Sequence, residues 1–229
     1  MKSEPFPIVS VKGDSYARGQ QYGSQAKTSI VKNLDTYAKL FKHYSKLDWK
    51  RVKQEAEKFI PIIENYDSEI MEEIQGIAEG AKRRVEDIVA LNARYELIYS
   101  SWTGCTSLAV IPEATSSKHT LMGQNWDWSI FVRDTCILLK IEQENKPNIL
   151  TFTEAGMVGK IGLNSAGIGV CVNGLVSNKD KRLPSTPFHV ICRGILNSKA
   201  MGDALGAILR AKRKCSANYL IAHKDGEAF

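Results

Sequence analysis

The chain has 229 residues, 43% of them hydrophobic, 24% charged and 8% aromatic, enough to bury a core without a disulfide or metal staple. No run approaches the ~20 consecutive apolar residues that cross a bilayer, so no membrane association is expected. Net charge is +6 and uneven: residues 1–104 carry 16 Lys/Arg against 15 Asp/Glu, residues 105–229 carry 15 against 10, part of it Arg210, Lys212, Arg213 and Lys214. Such a run near a helix end reads as a solvated face that complements the helix dipole, and no nucleic-acid partner is expected.

Met1-Lys2-Ser3-Glu4-Pro5 leads into a short strand over Ile8–Val11 rather than the apolar stretch of a secretory signal. After the Gly13-Asp14 turn, apolar residues at Ile30, Leu34, Tyr37, Leu40, Phe41 and Tyr44 predict one long helix from about Ser15 to Ser45. Gly19 and Gly23 in its first turns suit close packing of its backbone against a neighbour. Asp48 is placed to cap a second helix through Val52, Ala56, Phe59 and Ile63, which Pro61 ends or kinks. Asp67 or Ser68 caps a third, with Ile70, Ile74, Ile77 and Ala81 on one stripe, and a fourth runs from Val85 or Glu86 to about Tyr99.

At residue 105 the texture changes to short apolar runs at 108–111, 121–122, 136–141, 149–152 and 168–172, separated by turn chemistry such as Pro112-Glu113 and Asn164-Ser165-Ala166-Gly167. Two helices are predicted at about 187–197 and 200–212, then a strand at 218–222. Helices, then a mostly antiparallel sheet, then helices packing on it define an α+β fold.

The five cysteines, Cys105, Cys136, Cys171, Cys192 and Cys215, are odd in number and widely spaced, and the histidines His43, His119, His189 and His223 form no metal motif. No metal is expected. Scattered thiols fit a reducing compartment, so a cytoplasmic location is expected. Cys136, Cys171 and Cys192 lie in apolar runs and read as core, whereas Cys105 follows Gly104 at the first residue of a predicted strand. If the Gly104–Cys105 bond is cut, Cys105 gains a free α-amine, which titrates near ~8 and can act as base to its own thiol. Asp127, flanked by Trp126 and Trp128, is then placed to orient that amine, and Asn164 and Asn173 lie in runs whose amides could line an oxyanion hole. Asn164 has a competing reading as a turn former in the left-handed region.

Six pieces in order, Tyr16-Ala17-Arg18-Gly19 with Tyr22-Gly23, the segment Ile74–Ala81, Gly104-Cys105-Thr106, Gly123-Gln124-Asn125-Trp126-Asp127, Thr153-Glu154-Ala155-Gly156 and Asn164-Ser165-Ala166-Gly167, resemble the acyl-coenzyme A:6-aminopenicillanic acid acyltransferase family, the C45 peptidase group of N-terminal-nucleophile hydrolases. The resemblance implies a layered αββα sandwich and an inactive precursor that cuts itself at Gly104–Cys105. Residues 1–104 would become a helical α chain and 105–229 a sheet-bearing β chain, the two remaining associated. It further implies Cys105 as nucleophile, Asp127 beside it, and Asn173 as a position whose backbone amide helps form the oxyanion hole. The implied activity is that of an amidohydrolase or acyltransferase on a small-molecule amide or acyl thioester, with no cofactor and with a coenzyme A thioester as one candidate substrate.

Relatives carry a longer β chain with a further oxyanion Asn, and the position of Phe229 falls within a strand of theirs, so C-terminal truncation is expected. Two other readings stay open: a truncated, inactive family member, and an unprocessed cysteine amidase that uses a histidine as base.

Overall fold

A computed structural model describes residues 5–98 and 104–229. Helical periodicity dominates up to Ile98. The strand β1 (Ile8–Lys12) buries Val9 and Val11 on one face, and Asp14 then caps α1 (Ser15–Gln25) by accepting from the Ala17 N–H at 2.8 Å. The expected single helix over 15–45 is two helices. Ala26, buried and out of helical geometry, separates α1 from α2 (Lys27–Ser45), which frees α1 to lie along a different partner from α2.

That partner is α5 (Ser68–Ala81), and glycines set the approach. A Cβ on Gly19 or Gly23 would come 2.2 Å from the carbonyl oxygens of Glu73 or Ile77, and one on Gly76 or Gly80 would meet α1 in return. The two backbones touch, as the sequence led us to expect.

Asp48 caps α3 (Trp49–Glu57), and Pro61 falls in the first turn of α4 (Ile60–Tyr66), so the proline opens a new helix after a break at 58–59. Asp67 caps α5 through the Glu69 and Ile70 amides. The fourth predicted helix divides at Ala93 into α6 (Val85–Asn92) and α7 (Arg94–Ile98), and its expected end at Tyr99 lies outside the described residues.

From Cys105 on, the chain builds sheet. The strands β2 (Cys105–Val110) and β3 (Leu121–Trp126) form an antiparallel hairpin with Cys105 opposite Trp126. The strands β4 (Cys136–Glu142), β5 (Ile149–Glu154), β6 (Ile161–Asn164), β7 (Ile168–Gly174) and β8 (Ala217–His223) follow one another antiparallel. β1 joins this sheet parallel to β4, giving the order β1-β4-β5-β6-β7-β8. β6 is not among the strands expected from the sequence, since Ile161 and Leu163, with Gly162 between them, are too few to show alternation. Helices α8 (Phe188–Leu196) and α9 (Met201–Leu209) separate β7 from β8, α9 stopping three residues short of the expected 212. After the Gly226 turn, residues 227–229 fold back on β8 through Ile221 and His223.

Side chains alternate across β7. Ile168, Val170 and Val172 belong to the core shared with the helices, α8 packing against β6 and β7. Gly169 and Asn173 face the hairpin instead: a Cβ on Gly169 would meet Met122 Sδ at 2.6 Å, and Asn173 bonds Ser107. The sheet therefore carries helices on one side and the β2–β3 hairpin on the other. This is a mixed α+β arrangement around a mainly antiparallel sheet.

One connection is deeply buried. The loop 155–160 between β5 and β6 runs through the helix layer, and helix side chains satisfy its backbone. Asn33 donates to Ala155 O, Asn92 bonds Gly156 O and the Val158 N–H, Tyr22 bonds the Gly156 N–H and Met157 O, and Arg193 donates to Val158 O. Arg193 also grips Glu73 with both nitrogens at 2.7 and 2.8 Å, tying α8 to α5.

Candidate active site

Cys105 opens β2 with its side chain half-buried on the face turned toward the main sheet, as is that of Ser107 two residues on. The hairpin is held there by Gln124. Its Nε2 donates to Val172 O at 2.5 Å and its Oε1 accepts from Val172 N at 2.8 Å. β6 pairs β7 only at Val170 and Gly169, so Gln124 takes the place of strand pairing where β6 has ended.

A cavity of about 220 Å³ opens beside the nucleophile candidate, lined by Gly104, Cys105, Trp126, Asp127, Trp128, Arg94, Lys160 and neighbours on β7 and α8. Asp127, exposed just past β3, lies close to the backbone before Cys105: a Cβ on Gly104 would lie 3.2 Å from Asp127 Cβ.

Ser107 Oγ donates to Asn173 Oδ1 at 2.7 Å, which turns the Asn173 amide so that Nδ2 remains as its donor. Its backbone amide is a different matter. Since Val172 offers both backbone groups to Gln124, the antiparallel alternation points those of Asn173 at Asn218 on β8. The expected backbone donor is therefore spent in the sheet, and the group Asn173 presents to the hairpin is its side chain.

Asn164 lies apart. Its Nδ2 donates to Leu196 and Ser198 carbonyls at 2.9 and 2.8 Å, and its Oδ1 accepts from Ala166 and Ile168 N–H groups at 3.0 Å. Every position of that amide is used in tying the β6–β7 turn to the end of α8. The left-handed residue of this turn is Gly167, at φ +95°, rather than Asn164.

Of the most charged part of the site, the sequence offered only Glu154, within Thr153-Glu154-Ala155-Gly156, and assigned it no role. Glu154, fully buried at the end of β5, accepts from Arg94 and from Lys160 on one oxygen, each at 2.9 Å, and from Tyr37 on the other. Burial pushes its carboxyl up, but the two cations outweigh this and hold it at about 2. Burial acts the other way on Lys160, bringing its ammonium down to about 8 against the pull of Glu154. Lys160 Nζ also sits over the Trp126 ring, 2.9 Å from its centroid, and Arg94 lies over Trp128 and Tyr37. Arg94 Nε has no partner among the described residues.

His189, buried beneath, bonds Gly159 O through Nδ1 and stays neutral because burial and the two cations disfavour its charge. No histidine lines the Cys105 cavity among the described residues. A second cavity of about 830 Å³, mostly apolar, lies across Trp126 and Trp128 from the first and is bounded by Phe6, Phe152, Ile161 and Leu163. Three or more His, Cys, Asp or Glu side chains do not gather into a metal site among the described residues.

The family model described as acyl-coenzyme A:6-aminopenicillanic acid acyl-transferase matches residues 114–229. A curated relative from Emericella nidulans, acyl-coenzyme A:6-aminopenicillanic-acid-acyltransferase 40 kDa form, is 31% identical over 224 residues, 96% of this chain and 61% of the relative. The chain spans about three fifths of the length of the relative it matches.

Proposed function

Since the chain belongs to the acyl-coenzyme A:6-aminopenicillanic acid acyl-transferase family, a family of acyl transfer, we propose that it is a cysteine N-terminal-nucleophile enzyme that matures by cutting its own Gly104–Cys105 bond. The observation that carries this reading is the closeness of Asp127 to Gly104 at the head of β2, beside a cavity that Cys105 lines.

In the precursor, the Cys105 thiol attacks the Gly104 carbonyl, the peptide C–N bond breaks as a thioester forms, and water releases the Gly104 carboxylate. The mature Cys105 then presents a thiol and an α-amine on one residue. The amine accepts the thiol proton, with Asp127 orienting it, and the thiolate takes an acyl group from an amide or thioester. Asn173 Nδ2, left as a donor by the bond from Ser107, is the group we assign to the oxyanion that forms. The apolar cavity across Trp126 and Trp128 suits an apolar acyl group, and a coenzyme A thioester is one donor of that kind. The layered αββα sandwich fits the hairpin lying on the face of the sheet opposite the helices.

Intact-mass spectrometry of the purified protein tests the reading. Fragments 1–104 and 105–229 are expected from the wild type, and an uncut chain from Cys105→Ala. A folded wild-type chain that stays whole and transfers acyl groups would instead make this an unprocessed cysteine enzyme.

A further inference from the structure

Self-cleavage raises a question that the mature site does not. Before the cut, the nitrogen of Cys105 is a peptide amide with no lone pair to offer, so the thiol proton must go elsewhere. Two groups with that capacity line the cavity: the exposed Asp127 carboxylate and the buried Lys160 amine.

We propose that Lys160 takes the thiol proton of Cys105 during self-cleavage and returns it to the departing Cys105 nitrogen. This rests on the self-cleavage reading above.

The geometry that supports it runs through Trp126. Cys105 and Trp126 are directly opposed in the β2–β3 hairpin, so their Cβ atoms lie on one face ~5 Å apart. Lys160 Nζ is seated on that same Trp126 ring, and Lys160 and Cys105 line the same cavity. Asp127 lies close to Gly104, on the carbonyl side of the scissile bond. Its placement suits orientation of the backbone rather than reception of the proton.

The groups around Lys160 leave it able to exchange a proton near neutrality. Glu154 on β5 favours its charged form, while burial, together with Arg94 on α7, opposes it, and the result is about 8. Cys136 on β4 also favours the charged form, and His189 on α8 faces the cluster as a neutral ring. Tyr37 from α2 is bound to the far oxygen of Glu154. The neutral form of Lys160 is then the minor one at pH 7 and grows as pH rises toward 8.

The step balances without any added reagent. The thiol proton moves to Lys160 Nζ, the thiolate bonds the Gly104 carbonyl carbon, and the ammonium donates its proton to the Cys105 nitrogen as the C–N bond breaks. Lys160 ends neutral, as it began, and water later opens the thioester. Once the amine is free it takes over as base, so the lysine is needed for maturation and no longer for turnover.

The test follows radiolabelled chains made by cell-free synthesis and diluted into buffers from pH 6 to 9, with self-cleavage read by gel and fragment mass. The wild-type rate should rise with pH and level off near 8. Lys160→Met should cut itself on the order of 100-fold more slowly. Lys160→Arg, which keeps the charge but cannot give it up, should not restore the rate, whereas added methylamine should partly rescue Lys160→Ala. Asp127→Asn should slow cleavage without moving the pH profile. Wild-type cleavage in Lys160→Arg, a flat wild-type pH profile, or a profile lost in Asp127→Asn would overturn the role of Lys160 while leaving self-cleavage standing. A folded wild-type chain that never cuts would overturn both.

Discussion

Asp127 leaves little room at Gly104: a Cβ built on Gly104 would lie 3.2 Å from Asp127 Cβ. Both residues are exposed, so Gly104→Ala asks only for a shift of a few tenths of an ångström, and stability should change by less than ~0.5 kcal/mol. The same shift moves the scissile carbonyl relative to Cys105, and self-cleavage should slow by roughly 10-fold or more. Urea midpoints and a cleavage time course check the two halves separately. Unchanged cleavage would mean that this closeness positions nothing.

Gln124 is the clamp between hairpin and sheet. Gln124→Met keeps the bulk but strands the Val172 N–H and C=O, each of which costs about 1–3 kcal/mol when left unpaired. A loss of roughly 2–4 kcal/mol in denaturant unfolding is expected, with Cys105 more reactive toward a thiol reagent as the hairpin loosens.

How much of this was legible beforehand divides by the physics involved. Caps at Asp48 and Asp67 and the close approach of the glycine-bearing first helix to a neighbour are local signals, and each is present. The break at Ala26 has no Gly or Pro to announce it. The hairpin partner of β2 extends to Trp126, well past the expected 121–122, because Gly123, Gln124 and Asn125 have no strand propensity of their own and are held by pairing.

At the site, Cys105 and Asp127 were named from the ordered motifs and Asn173 from the wider resemblance. Arg94, Glu154 and Lys160 were given no role, because a buried ion cluster assembled from α7, β5 and a loop has no spacing to read. The one hint was Glu154 within Thr153-Glu154-Ala155-Gly156, an acid between residues that are wholly buried.

Glu154→Gln would leave two buried cations sharing no carboxylate. Removing one partner of such a cluster costs about 3–5 kcal/mol, which chemical denaturation measures. The pH dependence has a definite sign. The folded-state value of about 2 lies below the ordinary 4.5, so this stabilisation is present above pH 4.5 and is lost as pH falls from there toward 2. Glu154→Gln should lack that acid slope.

Glu96 on α7 behaves oppositely. Burial raises its carboxyl to about 7, although its Oε1 accepts from the Phe188 N–H at 2.7 Å, and its Oε2 has no partner among the described residues. A raised carboxyl stabilises the fold most below pH 4.5. That benefit is lost as pH rises from 4.5 to 7 and is gone above it. The stability difference between wild type and Glu96→Gln should therefore change across pH 4.5–7 and be constant at pH 7.5 and beyond, as urea midpoints in matched buffers would show.

The parallel seat of β1 beside β4 would give the proposed cut at Gly104 a consequence for refolding. β1, together with Tyr22, Asn33 and Asn92, belongs to the polypeptide before the cut, yet it supplies an edge strand and the backbone partners of the 155–160 loop after it. A severed molecule would keep its shape while changing its molecularity: unfolded precursor refolds as one chain at a rate independent of concentration, whereas unfolded mature protein must first find its other half. Maturation would thus trade reversible unfolding for a native state that, once lost in dilute solution, is slow to return.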